Sequence, residues 1–97
     1  MPTFIFVGNF TDQGVKSVKD SVKRADAVKE MAKKFGVTMK DIQWTMGAYD
    51  MVVHFEAPDG PSMSAFALAV AMAGNVRGQT LRSYSKQEME GILKKLA

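Results

Sequence analysis

The single histidine, His54, is the most direct candidate for acid–base chemistry in this sequence. It lies in a stretch from Tyr49 to Glu56 in which apolar residues occupy every second position. In a β-strand this alternation places His54 on one face together with Asp50 and Glu56. Tyr49 then falls on the opposite face, among apolar residues that suit packing against helices. Carboxylates near a histidine can adapt it for acid–base work, whereas a lone histidine in a strand more often has a structural role.

The segment just before that strand, Trp44 to Asp50, is a candidate ligand site. Gly47 suits the turn of a hairpin, and Asp50 is a residue type that accepts hydrogen bonds from turn amides. One interpretation is a hairpin with a purely structural role. The functional hypothesis is that Tyr49 and Asp50 line a ligand pocket or a contact between subunits.

Two further polar residues extend the candidate site. Asn9 lies near the end of the first predicted strand, and it joins His54 and Trp44 if the sheets of two subunits enclose a shared cavity. Arg77 suits the anchoring of an anionic ligand, or it simply lies on an exposed strand face. No residue is assigned a catalytic role. The candidate ligand-binding residues are Trp44, Tyr49, Asp50, His54, Asn9 and Arg77.

Composition excludes several kinds of chemistry. The chain has 97 residues, one histidine and no cysteine, which rules out a disulfide scaffold, a thiolate zinc site, a cysteine nucleophile and a multi-histidine metal centre within one chain. No Gly-rich phosphate loop, nucleophile elbow or metal-binding motif is present. We therefore expect no metal and no cofactor. The sequence shows no targeting segment and no apolar run long enough for a membrane span, so the expected location is the cytoplasm.

The elements that must position these residues follow the order β-α-β-β-α-β, with one more helix at the C-terminus. Strands are predicted over residues 4–10, 37–46, 49–56 and 76–84, and a loop over residues 11–14. Helices are predicted over residues 21–35, 61–73 and after the capping box of Ser85 and Glu88. This is the ferredoxin-like plan of the α+β class, with an antiparallel sheet and two helices on one face. We expect residues 1–97 to form a single domain.

Two stretches carry more apolar surface than such a domain covers. The run from Met63 to Ala73 contains no charged residue, and a helix that is apolar on every face is usually buried on every face. The first strand is apolar on both sides, whereas helices cover only one face of the sheet. The C-terminal helix and the tolerance of alanine at surfaces offer one explanation. Both stretches favour instead a homo-oligomer whose sheets pack face to face, a dimeric α+β barrel.

The first strand, Ile5 to Phe10, also matches half of an RNA-recognition motif, in which an aromatic at the position of Phe6 stacks on a base. The third predicted strand lacks both the basic residue and the second stacking aromatic of the companion motif. Residues 1–40 hold eight basic and four acidic residues, and residues 41–97 hold five and six, so the net charge of +3 comes from the first part alone. That part is largely one helix with a solvated, mixed-charge face, which argues against nucleic acid as a partner.

Five segments, taken in order, resemble the GYD domain family over nearly the whole chain. They are Gly8–Gly14, Val18–Ser21 with Arg24, Trp44–Asp50, Glu56–Asp59, and Gly74–Arg77 with Thr80–Arg82. The resemblance implies a ferredoxin-like fold of the dimeric α+β-barrel kind, found in bacteria and archaea, and it implies no activity. The Gly-x-Tyr-Asp hairpin is also similar to one in amino-acid-sensing domains of small bacterial regulators. That similarity favours a small-ligand or assembly module over an enzyme.

These observations predict a cytoplasmic homo-oligomer, a dimer or larger, that binds a small ligand or serves assembly at a subunit or sheet interface. The expected partners are further copies of the chain and a small molecule, with no membrane. Two alternatives stay open. One is an RNA-binding domain of the RNA-recognition type. The other is a small cofactor-free oxygenase or related acid–base enzyme that uses His54, an analogy at the level of the fold.

Overall fold

The computed structural model describes residues 1–96, so the last residue of the predicted domain, Ala97, lies outside the described residues. The strands are β1 (Thr3–Phe10), β2 (Thr38–Trp44), β3 (Met51–Glu56) and β4 (Val76–Ser83). The helices are α1 (Asp12–Lys16), α2 (Ser21–Lys33), α3 (Gly60–Met72) and α4 (Lys86–Leu93), with a 3₁₀ turn over Val18–Asp20.

The four strands form one antiparallel sheet in the order β2-β3-β1-β4. This is the predicted ferredoxin-like arrangement, to which α4 adds an extra C-terminal helix. The register places Phe4 opposite Phe55 on the face that the helices cover. Ile5 lies opposite His54, and both belong to the other face of the sheet. The two-sided apolar character predicted for the first strand is therefore confirmed.

The helix boundaries have local causes. The carboxylate of Asp59 caps α3 by accepting a hydrogen bond from the Ser62 N–H at 2.8 Å, and Gly36, with φ +73°, lies in the turn that follows α2. The predicted capping box is present, since Ser85 Oγ accepts from the Glu88 N–H and Glu88 Oε1 accepts from the Ser85 N–H, each at 3.0 Å.

The loop predicted over residues 11–14 was wrong, because α1 begins there. Thr11 caps this helix by accepting a hydrogen bond from the Gly14 N–H at 3.1 Å. Gly14 is buried against the carbonyl of Asn75, which a Cβ atom at position 14 would overlap. The helix has only five residues, and only one of them has an apolar side chain. It therefore shows no apolar periodicity that could be detected in the sequence.

The core lies toward one end of the molecule. At that end β1 begins beside Glu56 and Ser83, and the Phe66 ring packs edge-on against Phe55 with 5.2 Å between ring centroids. We call this the closed end, and the end where β1 stops at Phe10 the open end. The buried core residues are Phe4, Ala32, Val37, Met39, Met51, Val53, Phe55, Ala57, Met63 and Phe66.

The chain is more extended than its length requires. Its radius of gyration is 14.6 Å and its longest dimension is 52 Å, whereas a compact chain of this size has a radius of gyration of about 12.5 Å. Part of the reason is α4, whose apolar residues Met89 and Leu93 are 44% and 49% exposed. The uncharged helix α3 also has an open outer face, where Leu68 is 67% and Met72 86% exposed.

Candidate functional site: hairpin, sheet face and helix groove

The hairpin that joins β2 to β3 is pinned at its base. The Thr45 N–H donates to the Asp50 carbonyl at 2.9 Å, and the Thr45 hydroxyl donates to the Tyr49 carbonyl at 2.6 Å. Gly47 has φ +116°, a conformation that side chains rarely adopt. The side chain of Tyr49 is 39% exposed. Tyr49 was predicted to lie in the third strand, but β3 begins after it. The hairpin is thus a defined turn rather than a loose loop.

Asp50 attaches this hairpin to the end of β1. Its backbone N–H donates to the Gly8 carbonyl at 2.9 Å, and its Oδ2 accepts a hydrogen bond from the Phe10 N–H at 2.9 Å. The carboxylate is partly buried. It provides an acceptor for the Phe10 N–H, which makes no hydrogen bond to a neighbouring strand. Asp50 therefore has a structural contact in this chain rather than lying beside His54.

Trp44 lies on the helix face of the sheet. It is opposite Met51 in the register, and a β-bulge between Met39 and Asp41 sets which face it takes. Its side chain is 42% exposed. A hollow of about 300 Å³ at the open end is lined by Trp44 and by Phe10, Val18, Ser21, Val22, Thr45 and Asp50.

A larger hollow, which we call the helix groove, is bounded by α2, α3 and the sheet. Its volume is about 520 Å³, within the range of ligand sites in proteins. Half-buried apolar residues of the sheet and helices line the groove toward the open end. They include Val28, Ile42, Val70 and Val76. The guanidinium of Arg24 is held by Ser17, with 2.6 Å from Nη1 to the Ser17 hydroxyl. Most of the lining is apolar, and its charged residues are Arg24 and Arg77.

The floor of the helix groove contains a pair of facing glycines, Gly8 and Gly78. The Phe6 ring lies over both, since a Cβ atom at Gly78 would come within 2.8 Å of Phe6 Cζ and one at Gly8 would overlap the same ring. Phe6 thus belongs to the helix face. The RNA-binding alternative required this ring to stack on a base, and the structure places it under the helices instead.

The opposite face of the sheet carries an apolar centre, which we call the open sheet face. Leu81 and His54 flank Ile5, while Val52 and Gln79 flank Val7. Leu81 is 44% exposed. None of the four apolar residues, which are Ile5, Val7, Val52 and Leu81, belongs to the core or packs against it.

Three of the candidate residues lie on the open sheet face. Asn9 and Arg77 are opposite each other in the register, whereas His54 is opposite Ile5, about 13 Å along the strand from Asn9. Trp44 is on the helix face, so the sheet separates it from His54. The structure therefore brings Asn9 and Arg77 together, leaves His54 apart from them on the same face, and keeps Trp44, Tyr49 and Asp50 with the hairpin.

The surroundings of His54 differ from the sequence interpretation. Glu56 forms an ion pair with Lys40 at 3.3 Å, and Asp50 is bonded to Phe10. Asp41 is the carboxylate opposite His54 in the register. Sequence reasoning missed Asp41 because the register that pairs β2 with β3 places it opposite His54, and the alternation within a single strand does not show that register.

The carboxylates of Asp59 and Glu88 have lowered pKa values, and both cap helices. The Ser62 backbone N–H lowers the pKa of Asp59. The Ser85 backbone N–H, and then Arg82 at 3.2 Å, lower the pKa of Glu88.

Over residues 1–96, no three His, Asp or Glu side chains converge on a metal site. In the same part of the chain, no helix has the length and apolar character needed to cross a membrane.

The fold and the hairpin together define an α+β module of the ferredoxin-like class with a Gly-x-Tyr-Asp turn. The chain belongs to the GYD domain family, whose model matches residues 4–93. The match includes all four strands, and it confirms the family inferred from the sequence motifs.

A curated relative matches this chain over nearly its full length. It is 30% identical over 95 residues, which are 97% of this chain and 100% of the relative. That protein, from Thermus thermophilus, is named "Glutamine synthetase and cystathionine beta-lyase binding protein". The relative's name describes a protein that binds other proteins.

Proposed function

We propose that this protein is a homo-oligomeric adaptor that binds metabolic enzymes, and that two copies pair through the open sheet face. The name of the Thermus relative supports protein binding, since it refers to two enzymes of amino-acid metabolism. Glutamine synthetase and cystathionine β-lyase are therefore the first partners to test. The open sheet face supplies the structural argument for self-association.

The observation that carries self-association is the uncovered apolar centre of the sheet. An antiparallel sheet that faces water usually has polar residues on its outer face. Here Ile5 and Val7 lie on a central strand, with Val52 and Leu81 beside them. Two such faces pack about 10 Å apart and interdigitate, as in a sheet sandwich. Pairing through this face gives a two-subunit α+β barrel.

Pairing of the sheets also places the polar candidates in one enclosed space. His54, Asn9 and Arg77 lie on the face that the second copy covers. Because twofold symmetry repeats each residue, the enclosed space has two copies of every group. Arg77 suits a carboxylate or phosphate, since a guanidinium presents a fork of donors to such groups. A small anionic metabolite is the ligand class that fits this arrangement.

Sedimentation equilibrium tests the pairing. We expect the wild-type chain to be a dimer or larger at micromolar concentration, and Leu81→Lys to have a smaller mass because a charge would be buried at the contact. Val15→Lys is the matched control, because Val15 is 54% exposed and lies on α1, away from this face. A monomeric wild type, or an unchanged mass for Leu81→Lys, would contradict the pairing.

Biolayer interferometry tests the adaptor function. The immobilised protein is titrated with glutamine synthetase and cystathionine β-lyase from the same organism, with an unrelated oligomeric enzyme as the control. We expect saturable binding of at least one of the two enzymes and none of the control. Equal signals from all three enzymes, or no binding of either candidate, would remove this proposal and leave the self-association test unaffected.

A further inference from the structure

The helix groove and α4 are both apolar surfaces that their own chain leaves uncovered. The groove is walled on one side by α3, which has no charged residue along its length. On the other side Arg24 is engaged with Ser17 and Gly14. An occupant of this groove meets no carboxylate among the residues that line it. Apart from Arg24 and Arg77, the residues that line the groove carry no charge, so most of its surface suits an apolar partner.

The C-terminal helix presents a surface of that kind. Met89, Ile92 and Leu93 lie in α4 at the spacing i, i+3 and i+4, which places them on one side of the helix, and Leu96 follows three residues beyond the end of the helix. Met89 is 44%, Leu93 49% and Leu96 73% exposed. By helical geometry Glu90 and Lys94 fall away from this stripe. Anchors at this spacing are typical of a helix that docks into a groove.

In the structure α4 does not enter the groove of its own chain. None of the residues Lys86–Leu93 lines that groove, and the chain leaves β4 at the closed end, beside Thr3. The eight residues of β4 span about 26 Å, whereas the eight residues of α4 span about 12 Å. α4 of the same chain is therefore too short to cover the part of the groove near Phe10 and Val76. An α4 that fills the groove as far as its open end must come from another copy.

We propose that α4 of a second copy occupies the helix groove between α2 and α3. Each chain carries one α4 and one helix groove, so two chains can exchange helices reciprocally about a twofold axis. The contact joins the apolar side of α4 to the largely apolar groove and covers the half-exposed Trp44 at the mouth of the groove. It gives the uncharged α3 and the apolar stripe of α4 a shared role.

This contact is independent of sheet pairing, because the groove and the open sheet face are on opposite sides of the sheet. A copy bound in the groove is thus a different copy from the one on the sheet face. If both contacts form and their twofold axes intersect at right angles, four copies close into a tetramer. Leu93→Glu then leaves a dimer joined by the sheets, and Leu81→Lys leaves a dimer joined by exchanged helices.

Disulfide trapping tests the exchange directly, since the chain has no cysteine. The double variant Leu93→Cys with Ala71→Cys pairs the stripe of α4 with a residue that lines the groove. The control pairs Leu93→Cys with Ser64→Cys, which is exposed on α3 and does not line the groove. Under mild oxidation we expect the first variant to become mainly covalent dimer on a non-reducing gel and the control to remain mainly monomer. Absence of covalent dimer in the first variant, or equal amounts in both, would overturn the proposal.

The only tryptophan, Trp44, gives a second readout. We expect its emission maximum to shift to shorter wavelength as the wild-type concentration rises, because α4 of another copy covers it. Leu93→Glu should abolish this shift while far-UV circular dichroism stays that of a folded chain. Sheet pairing does not move the signal, because Trp44 is on the other face. A shift that persists in Leu93→Glu would overturn helix exchange and leave sheet pairing standing.

Discussion

The Asp50 carboxylate accepts a hydrogen bond from the Phe10 N–H at 2.9 Å, across forty positions of sequence. The Asp50 N–H in turn donates to the Gly8 carbonyl at 2.9 Å. One residue thus holds the Gly-x-Tyr-Asp hairpin against the last residues of β1. The aspartate of the motif that gives the family its name has, in this chain, a positioning role at the open end of the sheet.

Removal of that carboxylate should destabilise the fold. Asp50→Ala leaves the partly buried Phe10 N–H without its acceptor, which costs about 1–3 kcal/mol. Urea denaturation followed by far-UV circular dichroism measures the change. Asp41→Ala is the control, since Asp41 is exposed and should change the free energy of unfolding by less than about 0.5 kcal/mol. Equal effects of the two substitutions would mean that the Asp50 hydrogen bond contributes nothing specific.

The glycine pair under Phe6 predicts a steep cost for a single methyl group. In Gly78→Ala the new Cβ meets the Phe6 ring and the backbone of β1, and such overpacking costs about 1–3 kcal/mol. Gly91→Ala is the matched substitution, because a Cβ there meets nothing within 4 Å and Gly91 is helical. It should leave the thermal midpoint unchanged or raise it. A Gly78→Ala variant as stable as the wild type would contradict the packing described for Phe6.

Thr11 is expected to matter because its hydroxyl makes two hydrogen bonds. It accepts from the Gly14 N–H and donates to the Gly74 carbonyl, which ties α1 to the end of α3. Thr11→Val keeps the shape and removes both bonds, so the loss of the cap should cost about 0.5–2 kcal/mol. Thr38→Val, at an exposed position of β2, provides the comparison in chemical denaturation. If the two valine variants unfold at the same denaturant concentration, α1 is not held by Thr11.

The capping box of α4 should respond to acid. The Ser85 N–H and Arg82 lower the pKa of Glu88 from its ordinary value, so the ionised form stabilises the cap. A group with a lowered pKa contributes stability above its unfolded value, and this contribution disappears as the pH falls through the folded value. We expect the helical signal at 222 nm to decrease as the pH falls from the unfolded pKa of Glu88 through its lower folded pKa. Glu88→Gln should weaken this dependence and Glu90→Gln should not, and the reverse order would contradict the capping box.

Local patterns were enough to predict most of the fold. Alternation placed Met51, Val53 and Phe55 on the buried side of β3, because side chains in a strand point alternately to its two faces. Ser85 and Glu88 marked the start of α4, because a capping box is formed by residues three apart. Such features depend on neighbours in sequence, and they survive any tertiary arrangement. The Gly-x-Tyr-Asp segment and its four companions likewise identified the family.

The candidate site depended on more distant contacts. The sequence grouped His54 with Asp50, whereas the structure commits Asp50 to Phe10 and puts Asp41 across from His54. The short helix α1 was missed because its close packing involves the Asn75 carbonyl, some sixty positions away, which leaves no room for a side chain at Gly14. Neither relationship has a periodicity that the sequence displays.

The position of Trp44 separates the two kinds of information most clearly. The sequence by itself determined that Trp44 lies in the second strand, shortly before the hairpin, although it extended that strand to residue 46 and the structure ends it at Trp44. Its face was decided by tertiary structure, because the bulge between Met39 and Asp41 inserts one unpaired residue and lets Met39 and Ile42 both face the helices. A shift of one residue exchanges the two faces of a strand, and only pairing with β3 fixes where that shift occurs.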